Sequence, residues 1–120
     1  MTPDPKQGPR IRDLELLTRL HTAWRGECVL ADMGDCFAMR YSLHHVLNKP
    51  RDDVEANLVM TCGDGVAGHH GLLTAEDEDA RRALGAYLTA HRPDTMAHLA
   101  LRLGGSPAAA EWLCRRLYVC

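Results

Sequence analysis

Apolar side chains at Ile11, Leu14, Leu17, Leu20 and Trp24 recur every three or four residues. This spacing predicts an amphipathic helix from Ile11 to about Trp24, with Leu16 and Ala23 widening the stripe that covers a small site-bearing element. Gly26 ends the pattern, and Cys28 to Cys36 encloses Asp32, Gly34 and Asp35, the composition of a turn or knuckle. Phe37, Met39, Tyr41 and Leu43 alternate with Ala38, Arg40 and Ser42, the period of a half-buried strand that ends at His44 and His45. Asn48 to Ala56 is polar and reads as a connecting loop, and Leu58 to Met60 fits a second strand. Cys62 to Gly71 holds four glycines and two histidines, which suggests a backbone folded tightly around something.

Beyond this point the period is helical. Thr74 is expected to cap a helix that runs to about Ala90, with Asp77 completing a weaker capping box and Ala80, Ala83, Leu84, Tyr87 and Leu88 on its buried face. Pro93 breaks that helix; Asp94 or Thr95 is expected to cap a shorter one through Met96, Leu99, Ala100 and Leu103, which Gly104 and Gly105 stop. Ser106 and Pro107 then predict a last helix from Ala108 to about Tyr118. Residues 1–10 read as a disordered lead-in. The expected organisation is one α+β domain over 11–120, with a small strand-bearing module at about 28–90 and a helical extension at about 91–120.

Composition narrows the class without naming a chemistry. Hydrophobic residues at 46% and charged residues at 25% are an ordinary globular balance. No apolar run approaches the roughly 20 residues of a membrane span, and the first twelve residues lack the apolar core of a signal peptide, so an intracellular protein without a membrane role is expected. Five cysteines, Cys28, Cys36, Cys62, Cys114 and Cys120, are an odd set that suits free thiols or metal ligands in a reducing compartment. A net charge of -2 gives no global signature of nucleic-acid binding, yet residues 80–120 carry six arginines against two acids and could face a phosphate backbone. An ordinary solvated helical surface is the alternative.

The segment LHHVLNKPRDDVEANLVMTCGDGVAGHHG, Leu43 to Gly71, resembles the HNH endonuclease family, especially the small enzymes of phages and prophages of high-GC bacteria. The likeness lies in the paired histidines after a strand, the asparagine before an apolar stretch, and the glycine-punctuated cysteine-to-histidine string that follows. It spans roughly a third of the chain. It implies a strand-strand-helix element, the ββα-metal or His-Me finger, holding one divalent cation. His44 and His70 would be metal ligands, His45 the general base that activates water, and Asn57 the residue whose side-chain carbonyl orients His45. Phosphodiester hydrolysis needs a water deprotonated near neutral pH and a cation beside the phosphate, and an imidazole suits the first need. Mg²⁺, Mn²⁺ or another transition ion would suit the second. Two departures stand out: Thr74 occupies the position of a further histidine in many relatives, and the loop after the histidines has no glycine pair.

Many relatives also bind a structural zinc, and the matching positions here are Cys28, Cys36, Cys62 and His69. Three thiolates and an imidazole make an acceptable tetrahedral set. Cys28 and Cys36 are farther apart than the usual knuckle pair, so an enlarged loop would be needed, and small buried hydrophobes are the competing reading of these cysteines. Cys114 and Cys120 read as structural or incidental. Arg40, Lys49 and Arg51 are candidates for phosphate contact, with Arg81, Arg82, Arg115 and Arg116 weaker ones. Trp24 and Trp112 fit helix packing rather than base stacking.

The resemblance implies a metal-dependent endonuclease acting on nucleic acid, by expectation double-stranded DNA, with phage DNA-processing or packaging proteins as partners in a bacterial host cytoplasm. The alternative is a catalytically silent zinc-dependent module that binds nucleic acid or protein. A ribonuclease or toxin-like nuclease differs from the first mainly in substrate.

Overall fold

The computed structural model describes residues 9–24, 26–34, 36 and 40–120, and among them it contains five α-helices and one two-stranded antiparallel sheet. Helix α1 (Leu14–Ala23) starts where Asp13 accepts a hydrogen bond from the Leu16 amide at 2.9 Å. Its start is three residues later than the apolar spacing predicts, because Ile11 belongs to an extended stretch. The Ile11 amide donates to Asp52 Oδ1 at 2.9 Å, its carbonyl accepts from the Asp53 amide at 2.8 Å, and the Asp13 amide donates to Asp53 Oδ2 at 2.9 Å. The carbonyl of Pro9 accepts from Arg102, so the end of the expected lead-in is held in place; residues 1–8 lie outside the described residues. The helix lies beside the sheet but buries none of its side chains fully, and Leu14 is 77% exposed.

Strand β1 (Tyr41–His45) pairs with β2 (Leu58–Cys62), Tyr41 facing Cys62 and His45 facing Leu58. The strand ends at His44 and His45 as the alternation predicts; of its expected start, residues 37–39 lie outside the described residues. Strand β2 extends two residues past the apolar stretch, through Thr61 and Cys62, and every residue of it is buried.

The glycine-rich string does more than turn. Gly63, Gly65 and Gly68 all have positive φ, and a Cβ at Gly68 would stand 2.6 Å from the Cys62 carbonyl oxygen. That close return lets helix α2 (Gly68–Thr74) begin inside the glycine-rich string itself. Thr74 therefore ends α2 and does not cap the next helix: its hydroxyl donates to the His70 carbonyl at 3.0 Å. Asp77 takes the capping role, accepting from the Ala80 amide, and starts α3 (Glu78–His91).

Helix α4 (Pro93–Leu103) opens on the proline expected to break the pattern, a position where its missing N–H costs nothing. Asp94 pairs with Arg92 instead of capping, and the Thr95 hydroxyl donates to the Ala56 carbonyl at 2.6 Å, tying α4 to the loop before β2. Gly104, in the left-handed region, ends α4, and α5 (Ser106–Leu117) starts two residues before the expected point. At Gly85 an added Cβ would lie 2.2 Å from the Leu117 carbonyl oxygen, so α3 and the end of α5 approach closely. One buried cluster runs from Cys28 and Leu30 through Val59 and Cys62 to Leu84, Leu88, Leu99 and Leu117, joining the strand-bearing part and the C-terminal helices. Cys114 and Cys120 form a disulfide, which leaves Cys28, Cys36 and Cys62 as the free thiols. No helix among the described residues is long and apolar enough to cross a membrane.

Candidate functional site

The three free cysteines converge on one imidazole. Cys28 and Cys36 flank a short 3-10 turn (Ala31–Met33), Cys62 closes β2 and His69 sits in the first turn of α2. The Sγ atoms of Cys28, Cys36 and Cys62 lie 3.4, 3.3 and 3.3 Å from His69 Nδ1, and all four ligand atoms fall within 4.8 Å of one another. Tetrahedral zinc with Zn–S of about 2.3 Å and Zn–N of about 2.0 Å separates sulfur from nitrogen by roughly 3.5 Å, so the donors already stand at ligand spacing. Backbone amides brace two sulfurs: Leu30 N–H donates to Cys28 Sγ and His69 N–H to Cys62 Sγ.

Burial makes the Cys28 and Cys36 thiols reluctant to ionise alone. Burial pushes the Cys28 thiol up, with Cys62 adding to the effect, and burial together with the Cys62 and Cys28 thiols pushes Cys36 up to about 12. A bound dication reverses that penalty. Cys28, Cys36, Cys62 and His69 could therefore hold a metal ion, a donor set consistent with structural zinc. The enlarged loop between the first two cysteines is accommodated by the intervening 3-10 turn.

A second pair of imidazoles lies on the neighbouring face. His44, in mid-β1, and His70, in α2, meet edge to face with ring centroids 5.4 Å apart. His70 Nδ1 lies 3.1 Å from the Gly65 carbonyl, which can only accept; Nδ1 therefore carries the hydrogen and Nε2 keeps the lone pair in the neutral ring. Burial, with His70, His45 and Arg51 adding to it, pushes His44 down to about 4, so it is a neutral imidazole near pH 7. The two residues expected to share a divalent cation are thus neighbours.

His45 faces the other way, as adjacent strand residues must. Its Nε2 lies 2.8 Å from Asp53 Oδ1, and its Nδ1 accepts from Arg51 Nε at 3.2 Å. A guanidinium only donates, so Nε2 holds the hydrogen, directed at Asp53, and Nδ1 is the basic nitrogen. Burial lowers the His45 pKa, and the hydrogen bond to Asp53 opposes it. Burial would raise Asp53, but the Asp13 amide, His45 and Arg10 overcome it and hold the carboxyl below its usual range.

Asn57 does not orient His45, contrary to the expectation from its place in the motif. Its Oδ1 accepts from the Leu47 amide at 2.8 Å and its Nδ2 donates to the carbonyls of Leu47 and Asp52 at 2.9 and 3.0 Å. Both of its side-chain polar atoms pin the loop after β1, and Asp53 on that loop is what touches His45. The asparagine acts on the histidine through the loop.

His44, His45 and His70 line one cleft of about 820 Å³ between the β1–β2–α2 part and the C-terminal helices. Lys49, Arg51, Arg81 and Arg116 also line it, against a single acid, Glu76, which is paired with Arg116. Arg40 does not join them; it is exposed and lies 3.6 Å from Asp64. Arg82 and Arg115 pair with Glu78 and Glu111 along their own helices. Sequence reasoning missed Asp53, although two consecutive acids in a loop eight residues from a histidine were a usable signal. It also missed the Gly65 carbonyl, for which side-chain identity gives no signal. No known family model, curated protein or solved structure matches this chain.

Proposed function

We propose that this chain is a metal-dependent endonuclease of the HNH type, with β1, β2 and α2 as its ββα-metal element. The observation that carries the reading is the juxtaposition of His44 and His70 in a cation-lined cleft that His45 also lines. His44 and His70 would hold the divalent cation, which when bound supplies charge neutralisation at the phosphate and its leaving oxygen. His45 Nδ1 takes a proton from the attacking water while Asp53 fixes the tautomer and steadies the imidazolium that forms. Arg51 leaves Nδ1 to bind the incoming phosphate, so substrate binding frees the base. Cys28, Cys36, Cys62 and His69 hold a structural zinc that seats α2, and with it His70.

A specific observation favours the alternative of a catalytically silent zinc module. The Thr74 hydroxyl is engaged by the His70 carbonyl and adds no third protein ligand. Nicking assays separate the two readings. Wild type and His45→Ala, with zinc retained, are given supercoiled plasmid or single-stranded circular DNA with Mg²⁺, Mn²⁺ or no second metal. The expected outcome is metal-dependent cleavage that falls by about 10²-fold or more in the variant. No cleavage with any metal leaves the silent module as the function, and equal cleavage by both proteins removes His45 as the base.

A further inference from the structure

The part of the cleft lining that α4 and α5 supply is not built like a phosphate rail. Leu103 from α4 and Trp112 and Leu117 from α5 supply it, and Arg81 and Arg116 edge it. Trp112 is half-buried: it packs on the core and also borders both this cleft and an adjoining recess lined by Arg115 and Arg116. The sequence pattern accounts for Trp112 as a packing residue; the structure gives the same ring a second environment.

From this juxtaposition we propose that the cleft takes a single-stranded polynucleotide, one unstacked base lying against Trp112 while the phosphates lie along Lys49, Arg51, Arg81 and Arg116. Charge complementarity identifies the backbone: four cations and one paired acid line a recess in a chain whose net charge is -2. The aromatic and aliphatic wall identifies the rest. A duplex offers a protein its phosphates and groove edges and keeps the flat faces of its bases stacked inside, so a recessed apolar wall finds nothing on it to bind. A single strand offers both a backbone for the cations and a base face for the indole. The inference rests on the nucleic-acid reading of the cleft and not on hydrolysis.

The test is binding by the full chain with its Cys3His centre loaded and no second metal added. Fluorescence anisotropy compares labelled oligothymidine, an abasic chain of equal length, and duplex DNA at one salt concentration. Oligothymidine is expected to bind about tenfold or more tighter than the abasic chain and the duplex. Trp112→Ala should bring oligothymidine to the abasic level, and Trp112→Phe should keep most of the preference. Arg116→Ala should weaken oligothymidine and abasic chain together and flatten the salt dependence. A readout that leaves Trp112 in place uses Trp24→Phe, in which Trp112 is the remaining tryptophan: oligothymidine should quench its emission and the abasic chain should not. Duplex binding as tight as single strand, or an unquenched Trp112 in the bound complex, overturns the proposal. Base-dependent binding here with no cleavage in the metal-supplied nicking assay would remove the nuclease reading and leave this one; cleavage in that assay with base-indifferent binding here does the reverse.

Discussion

Asp53 accepts from the Asp13 amide and from His45, and lies 3.8 Å from an Arg10 nitrogen, so one buried carboxylate ties the chain before α1 to the proposed base. Asp53→Asn keeps the shape and removes the charge that steadies His45. Cleavage is expected to fall by about 10- to 100-fold, with His45 nitrogen chemical shifts reporting a lost preference for the hydrogen on Nε2. An unchanged rate would make Asp53 a purely structural anchor. His44 supplies a pH dependence of definite sign. Its folded pKa of about 4 lies below the unfolded value of 6.5, so the unfolded chain binds the proton more readily. The stability this contributes is complete above about pH 6.5 and is lost as pH falls toward 4, at most on the order of 3 kcal/mol. Thermal melts of wild type and His44→Gln, each without a second metal, should diverge across that window, wild type losing the more; parallel curves would remove the assigned shift.

At the scale of elements, the helices were largely legible because their apolar positions are spaced for burial: Ala80, Leu84 and Leu88 in α3 and Leu99 in α4 are all buried as expected. What failed was punctuation. Pro93 does interrupt the pattern, α3 ending at His91, but the next helix opens on the proline itself and not after a cap at Asp94 or Thr95. Thr74 was read as a cap although Asp77 sits closer to the first buried residue. Helix α2 is implied by the family resemblance and not signalled by local propensity, because its glycines, needed for the tight return after Cys62, depress it. Of the candidate site, the residue types were legible from the motif, but the His45–Asp53 contact was not, since it depends on the path of a loop that Asn57 pins from ten residues away. Gly85 belongs to this scale too: composition marks it as a weak point in a helix, and packing makes it a necessity. Gly85→Ala gains propensity yet forces a methyl against the Leu117 carbonyl and Val119, and is expected to destabilise by about 1–3 kcal/mol in urea unfolding. Stabilisation instead would mean that α5 yields freely.

For the whole molecule, an ion held by the Cys3His group would be a source of stability additional to the helical core that it adjoins. Cys28 and Cys36 come from the segment after α1, Cys62 from the end of β2 and His69 from α2, so one ion would clamp three stretches, adding to the Val29 amide–Met60 carbonyl hydrogen bond and the close return from Cys62 to Gly68. Leu84, Leu88 and Leu99 bury themselves among α3, α4 and α5 without help from that ion. Chelation should therefore split the molecule's behaviour. With metal stripped at pH 7.5, the melting temperature is expected to fall by about 10 °C or more, since several kcal/mol of metal-binding energy is lost from a domain of this size. Far-UV circular dichroism should nevertheless keep most of its helical signal at low temperature, while limited proteolysis opens the segment between α1 and β1. Cys36→Ser should reproduce the chelated state and bind less than one zinc per chain by elemental analysis. Simultaneous loss of all helical signal on chelation would instead make the ion the nucleus of the entire fold, and an unchanged melt would return the three cysteines to the role of small buried hydrophobes.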